Sequence, residues 1–367
     1  MRSYKFIISG GGTGGHIFPA VAIANGIRER YPNAEILFVG AKGRMEMEKV
    51  PAAGYEIVGL NITGIQRSLT PKNLLVPFRL IGALNEAGKI LKRFKPDVVI
   101  GVGGYASGAI VFMASRKGIP TLVQEQNSYP GITNKLLAKR VKRLCVAYDG
   151  MERFFPADKI RLTGNPVRQE IADQQGKREK AISHFGLNPN KQTLLVIGGS
   201  LGALSINESI LAALPQIKEK GLQLIWQTGK GFDGKAAAAV AELNDAGIQT
   251  YAFIKEMDLA YAAADLVVSR AGALAVSELC LVKKACILVP YPFASEDHQT
   301  HNAQSLVEKG AALLVTDSDA RTKLAHVALD LSSNAEKREG LVKAISSLGK
   351  PDATNTIVDE VFNLMTA

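Results

Sequence analysis

Short apolar, β-branched runs alternate along this chain with longer segments whose apolar residues recur at helical spacing. The runs Lys5–Ser9, Ile36–Val39, Glu56–Leu60, Val98–Gly101, Thr121–Val123 and Leu144–Ala147 predict one series of strands. Leu194–Ile197, Leu222–Trp226, Ile248–Tyr251, Leu266–Ser269, Ile287–Val289 and Ala312–Val315 predict a second. Helices are predicted over Pro19–Tyr31, Pro71–Phe94, Phe232–Asn244, Thr300–Lys309 and Asp352–Thr366. Such alternation builds βαβ units, and hence α/β parallel sheets covered by helices on both faces. FIISGGGTGGHIFPAVAIA near the start is echoed by LLVIGGSLGALSINESIL from Leu194, so one strand-loop-helix opening is used twice. Each opening starts a doubly wound, Rossmann-like half with its ligand at the carboxyl ends of the strands. The expected division is 1–163, 164–350 and a last helix in 351–367.

Composition narrows the partners. With 367 residues the chain is too long for one typical core and suits two domains. A formal net charge of +10 admits nucleic acid, anionic lipid or phosphorylated substrates. Yet no basic segment is interleaved with aromatics in the manner of single-strand binders, which disfavours nucleic acid. The three cysteines, Cys145, Cys280 and Cys286, lie in apolar segments without CxxC spacing, as buried thiols do in a reducing compartment. Phe6-Ile7-Ile8 is too short an apolar run for a signal peptide. No apolar run approaches the roughly 18 to 20 residues of a spanning helix. A cytoplasmic protein with at most peripheral membrane contact is expected.

The chemistry should lie in the glycine clusters. Gly10-Gly11-Gly12-Thr13-Gly14-Gly15 follows a strand and opens a helix, where free amides and the helix dipole attract anions. A dinucleotide fingerprint would also place an acid at the end of the second strand. That strand ends Phe38-Val39-Gly40-Ala41, which removes the ribose anchor of an NAD enzyme and leaves phosphate binding. Gly101–Gly108 and Gly198-Gly199-Ser200-Leu201-Gly202 repeat the device, pointing to more than one phosphate-bearing ligand.

Individual side chains stand beside these loops. His16 falls in the first helical turn, where the dipole favours a neutral imidazole able to accept a proton. In Ser269–Glu278, Gly272 admits a phosphate, Arg270 supplies positive charge, and Glu278 can accept two ribose hydroxyls. Asp317-Ser318-Asp319 has the form of a metal-binding DxD, but its place before Ala320 suits a helix N-cap. In Pro71–Phe94, the residues Leu74, Phe78, Ile81, Leu84 and Leu91 make a core-like stripe, with Val76 and Leu80 opposite. Lys89, Lys92, Arg93 and Lys95 follow, and Lys135, Lys139, Arg140, Lys142 and Arg143 form a second basic group. An apolar patch rimmed by cations suits an anionic leaflet; burial of the helix on both sides is the competing expectation.

Taken together, GGTGGHIFPA, GVGGYASG, EQNSYPGITNKLLAKR, TGNPVR, GGSLGA, SRAGALAVSEL and DHQTHNA resemble, in order, the signatures of the MurG family. This family adds N-acetylglucosamine to the lipid-linked muramyl-pentapeptide of peptidoglycan. The resemblance spans essentially the whole chain. It implies the GT-B fold, two doubly wound Rossmann-like domains facing each other across a cleft, with the last helix crossing back to the first. UDP-N-acetylglucosamine is the implied donor substrate, no cofactor is implied, and no metal is required. Carried onto matching positions, Ile254 would present backbone to the uracil, Glu278 would hold the ribose, and Ser200 and Arg270 would meet the diphosphate. Asn127 and Gln299 would touch the sugar and Arg168 would lie near the nucleotide, with Thr13 and Gly14 completing the donor contacts. The lipid pyrophosphate would rest on Gly11, Gly12, Gly15, Gly103, Gly104 and Tyr105, with His16 as catalytic base. Lys72, Leu75, Val76, Arg79, Leu80, Lys139 and Arg140 would face the anionic inner leaflet at the cytoplasmic side of the membrane. Components of the wall-synthesis machinery would be further partners.

Three positions depart from the pattern: Leu201 replaces an expected Gln, Gln124 an expected His, and Thr300 an expected Gln. The implied reaction is one inverting displacement giving a β-1,4 link, with UDP leaving toward the second-half loops. A different GT-B acceptor, a UDP-N-acetylglucosamine 2-epimerase and a non-catalytic nucleotide-sugar-binding module are the alternatives.

Overall fold

The computed structural model describes residues 3–62 and 76–366 and divides into two units, Met1–Val167 with Asp352–Ala367, and Arg168–Pro351. In the first, β1 (Lys5–Gly10), β2 (Glu35–Ala41), β3 (Glu56–Leu60), β4 (Val98–Gly103), β5 (Thr121–Glu125), β6 (Arg143–Val146) and β7 (Ile160–Leu162) form one sheet. Its order is β3-β2-β1-β4-β5-β6-β7, and every adjacent pair is parallel. The second unit repeats the plan with β8 (Thr193–Ile197), β9 (Gln223–Gln227), β10 (Ile248–Tyr251), β11 (Leu266–Ser269), β12 (Ala285–Leu288) and β13 (Leu313–Leu314). Their order is β10-β9-β8-β11-β12-β13, again all parallel.

In both units the strand order reverses beside the first strand, between β1 and β4 and between β8 and β11. Diverging connections open a crevice at such a switch point, outside the carboxyl ends of the strands. All four glycine-bearing loops predicted to bind phosphate leave these four strands. Two α/β halves of GT-B type are therefore present.

The central strands are buried along their length, which is why they read as continuous apolar runs rather than alternating ones. The first helix begins at Gly14, five residues before the predicted start, and contains Pro19. Ile17 is buried beneath it, and the amides of His16 and Ile17 both donate to the Thr13 carbonyl, which offsets the glycine penalty. Strand β7 is not legible in the sequence: it has three residues, two of them exposed, at the sheet edge.

The helix Ala353–Thr366 packs on the helix Gly14–Arg30. A Cβ on Gly26 would lie 2.8 Å from the Thr354 methyl, so the glycine permits this close approach. Phe362 stacks on Tyr31 with centroids 4.4 Å apart, Asp359 pairs with Arg30, and Glu360 pairs with Arg143 at 2.6 Å. Arg143, grouped by sequence with exposed cations, is thus an internal residue of this junction. All three cysteines are free and buried. Burial raises each thiol, Cys280 to about 12, so none offers a thiolate near neutrality.

Candidate active site

At the first switch point the β1 and β4 loops pack directly on each other. The Gly11 amide donates to the Gly103 carbonyl (3.3 Å). A Cβ on Gly103 would lie 2.8 Å from Cδ2 and Nε2 of His16, and one on Gly104 would lie 2.8 Å from the Gly11 carbonyl oxygen. Gly103 also has φ of +111°, which L side chains rarely adopt. These glycines therefore let two loops and one imidazole share a space that side chains would fill.

The His16 ring is held by Nδ1, which lies 2.9 Å from the Gly11 carbonyl oxygen. A carbonyl only accepts, so Nδ1 carries the proton, and in the neutral ring Nε2 presents its lone pair. That is the tautomer a general base requires. Thr13 is the N-cap and makes no side-chain capping bond. The amides of Thr13, Gly14 and Gly15 precede the intrahelical bonding pattern, the kind of helix start that attracts anions. The Gly11 and Gly12 amides differ: the first is given to Gly103 and the second, at 2.9 Å, to the carboxylate of Glu46. The Gly11 and Gly12 amides, expected at a pyrophosphate, are thus engaged within the protein. Tyr105 opens the helix after Gly104 with half its surface exposed.

Behind these loops lies a buried polar lattice. Gln124 donates to Asn165 Oδ1 (2.8 Å), and Asn165 donates to the Gln126 carbonyl (2.9 Å). Gln126 in turn donates to the Val102 carbonyl (2.9 Å), tying the segment after β5 to the end of β4. Glu125 is buried and accepts from the Asn127 amide (3.0 Å) and side chain (3.2 Å), the Gly131 amide (3.1 Å) and Asn134 (2.8 Å). Asn127 is thus positioned from below by a carboxylate. Gln124, which replaces an expected His, is an internal strut of this lattice.

In the second unit, Gln227 links two backbone segments. Its Nε2 donates to the Gly199 carbonyl (3.0 Å), and its Oε1 accepts from the Ile254 amide (2.9 Å). The Ile254 amide is consequently engaged within the protein. A Cβ on Gly202 would lie 2.1 Å from the Thr228 carbonyl oxygen, so the loop needs glycine there to seat on Thr228. Ser200 is exposed in this loop, and Leu201 is 92% exposed.

Glu278 and Arg168 are brought together with Tyr261, whose hydroxyl donates to Glu278 Oε2 at 3.0 Å. Burial raises the Glu278 carboxyl above its ordinary range, and the Tyr261 bond and the Arg168 charge oppose that rise. Gln299 Oε1 accepts from the Ala271 (3.2 Å) and Tyr291 (3.0 Å) amides, which orients its amino group away from them. Thr300, the third departure, donates to Asp297 Oδ1 at 2.7 Å.

Arg270, expected to supply positive charge at a diphosphate, has protein partners of its own. Its guanidinium pairs with Asp317 at 2.6 Å and donates to the Val289 and Pro290 carbonyls, both at 3.1 Å. Asp317 is therefore an ion-pair partner, and the N-cap of this turn is Thr316, which accepts from the Asp319 amide. Asp319 pairs with Lys323 at 3.2 Å.

Lys72 and Leu75 lie outside the described residues, and the third helix is described from Val76 to Phe94. Its buried face is Ala83, Ala87, Ile90 and Leu91; of the predicted stripe, Leu91 is buried and Leu84 packs on the core, while Phe78 and Ile81 are exposed. At 100° per residue those two lie on the opposite side, and the small alanines are what close the helix on the core. Phe78 is 73% exposed, and Leu80, Ile81, Ile132 and Leu136 are exposed as well. Arg79 is half-buried, whereas Lys139 and Arg140 are exposed, Arg140 over the Phe112 ring at 5.0 Å. No helix of the described residues is long and apolar enough to cross a membrane.

Residues 6–146 match the glycosyltransferase family 28 N-terminal domain, and residues 193–357 match the glycosyltransferase family 28 C-terminal domain. A Parabacteroides distasonis protein is 51% identical over 365 residues, covering 100% of this chain and 99% of the relative. A Phocaeicola vulgatus protein is 54% identical over 364 residues, covering 99% and 97%. Both are named UDP-N-acetylglucosamine--N-acetylmuramyl-(pentapeptide) pyrophosphoryl-undecaprenol N-acetylglucosamine transferase. The chain belongs to the MurG family.

The crystal structure of Acinetobacter baumannii MurG is similar at TM-score 0.81 and 29% identity, covering 99% of this chain and 100% of that one. For a MurG-family chain, the residues that motif reading missed are Glu46, Tyr261 and Gln227. None carries a local signature: each is a single polar residue whose partner is distant in sequence. Only for Glu46 was there a hint, in glycines at 11 and 40 that have no turn to make.

Proposed function

We propose that this chain transfers N-acetylglucosamine from UDP-N-acetylglucosamine to the 4-hydroxyl of an undecaprenyl-pyrophosphoryl-linked muramyl-pentapeptide. The acceptor oxygen attacks the anomeric carbon as the bond to the UDP oxygen breaks, inverting the centre to a β-1,4 link. The hydroxyl proton passes to Nε2 of His16, and the electron pair of the broken bond leaves on UDP. The observation that carries this reading is the His16 ring, fixed through Nδ1 with Nε2 as acceptor, beside a helix N-terminus suited to pyrophosphate.

On the donor side, Glu278 takes the ribose hydroxyls and the Ile254 carbonyl meets the uracil. The loop through Ser200 and the N-termini of the helices Leu204–Glu219 and Ala273–Val282 meet the diphosphate. Fixed dipoles of this kind stabilise developing phosphate charge without reorganising. Arg270 and Asp317 both meet Ser205 in the first turn of the helix Leu204–Glu219, and Gln299 and Asn127 serve the sugar.

The exposed apolar residues Phe78, Leu80, Ile81, Ile132 and Leu136, with Lys139 and Arg140, suit peripheral contact with anionic lipid. Such contact brings the enzyme to a lipid-anchored acceptor at the cytoplasmic face of the membrane, where wall-synthesis proteins are further partners.

One assay decides the function: UDP release from UDP-N-acetylglucosamine, with and without a muramyl-pentapeptide-pyrophosphoryl-polyprenol. Release that depends on the acceptor, with a disaccharide product, is expected. Conversion of the donor without acceptor would mark an epimerase, and binding without release a non-catalytic module.

A further inference from the structure

The peptide unit joining Gly11 to Gly12 is hydrogen-bonded at both ends to ionisable side chains. Its carbonyl faces His16 Nδ1 at 2.9 Å. Its N–H donates to Glu46 Oε2 at 2.9 Å. The second oxygen of Glu46 accepts from the Ala41 amide at 3.0 Å, and the side chain is 1% exposed. Both oxygens face donors, the arrangement of an ionised carboxylate.

Space for this acid is cleared by glycines. A Cβ on Gly11 would lie 2.2 Å from Oε1 of Glu46, and a Cβ on Gly40 would lie 2.6 Å from its Cγ. Neither glycine has a positive φ among the described residues, so turn geometry does not demand them. Their effect is to admit a buried carboxylate behind the loop.

We propose that Glu46 is a positioning residue for His16, acting through the Gly11–Gly12 peptide. The inference rests on the reading of His16 as the base. A carboxylate at the N–H end of an amide polarises it and strengthens its carbonyl as an acceptor, because hydrogen bonds in series reinforce each other. A stronger acceptor at Nδ1 holds the ring in the tautomer with Nε2 bare. It also stabilises the positive charge that the ring gains when Nε2 takes the acceptor's proton. A carboxylate bonded directly to histidine does the same in other enzymes, and here one peptide unit is interposed.

The test uses the full chain labelled with 15N-histidine and 15N-glycine, with His16 assigned from a His16→Gln spectrum. In the unsubstituted protein, the expected ring shifts are those of an Nδ1–H, bare-Nε2 imidazole. The Gly12 amide nitrogen is expected to move together with the ring as acid protonates it. Glu46→Gln keeps the shape but loses the charge and one acceptor. It should populate the Nε2–H tautomer and lower kcat about 10-fold, with UDP-N-acetylglucosamine Kd held within about twofold. A Glu46→Gln protein with the original tautomer and kcat overturns the proposal. If that variant fails to fold, the unsubstituted protein decides, because an Nε2–H ring or an indifferent Gly12 amide is equally fatal. The tautomer is read without turnover, so failure of transfer to the lipid acceptor sinks the functional reading and leaves this result distinct.

Discussion

The Tyr261 hydroxyl donates to Glu278 Oε2 across 3.0 Å, and this bond, with the Arg168 charge, opposes the rise that desolvation imposes on the carboxyl. Burial raises Glu278, so as pH falls it gains a proton earlier than an ordinary glutamate and loses acceptor strength toward the ribose. Binding of UDP should therefore weaken on mild acidification. Tyr261→Phe removes one opposing influence and should move that loss to higher pH. It should also raise the KM for UDP-N-acetylglucosamine about 10-fold with kcat little changed, which is the pattern of lost uniform binding. Titration calorimetry with UDP across pH checks the first claim, and initial rates check the second.

The Arg270–Asp317 pair makes a stability prediction. Burial alone would raise Asp317, but its bonds to Ser205 and Arg270 outweigh that and hold the carboxyl below its ordinary range. A depressed carboxyl contributes stability above its unfolded value and loses it as pH falls through the folded one. Asp317→Asn should cost about 1–2 kcal/mol at neutral pH and flatten the acid limb of the stability curve. Urea denaturation at several pH values measures both; a variant as stable as the parent contradicts the role given to this pair.

Gly103 and His16 offer a steric test of the base. A methyl group at residue 103 would lie 2.8 Å from the imidazole and on a backbone of positive φ. Gly103→Ala should destabilise the first unit by about 1–3 kcal/mol and displace the ring. Its kcat should fall with that of His16→Ala, for which a loss of about 100-fold or more is expected. Donor affinity should stay near its original value in His16→Ala. Near-normal turnover of His16→Ala with lipid acceptor would show that another group takes the proton.

The exposed face of the third helix predicts lipid dependence. Phe78→Ser with Ile81→Ser removes two exposed apolar side chains without touching the buried Ala83–Ala87 face. Cosedimentation with anionic vesicles should drop about 10-fold, while thermal stability and transfer to a water-soluble acceptor hold. Undiminished binding would place the membrane contact elsewhere.

Much of the architecture was legible because it depends on local pattern. Buried parallel strands such as β1 and β8 read as continuous apolar runs, and the glycine runs after them mark loops where side chains do not fit. The order of these runs was enough to give two doubly wound halves. The outward orientation of Phe78 and Ile81 was not legible, because helical spacing gives a face but not which face meets the core. Alanines 83 and 87 decide that by permitting close packing. The MurG-family motifs likewise named His16, Glu278 and Arg270 without their partners.

What sequence alone determined, then, is the fold class, the loops at the switch points and the histidine beside them, all set by residues adjacent in the chain. Only tertiary structure decided what holds each of them. Glu46, five residues beyond Ala41, turns back onto the Gly12 amide. Arg270 is claimed by Asp317, and Glu278 by Tyr261, 17 residues away. Hydrogen bonds and ion pairs are short-ranged in space and indifferent to separation along the chain. Which polar groups meet is therefore settled only when the sheets bring their strand ends together.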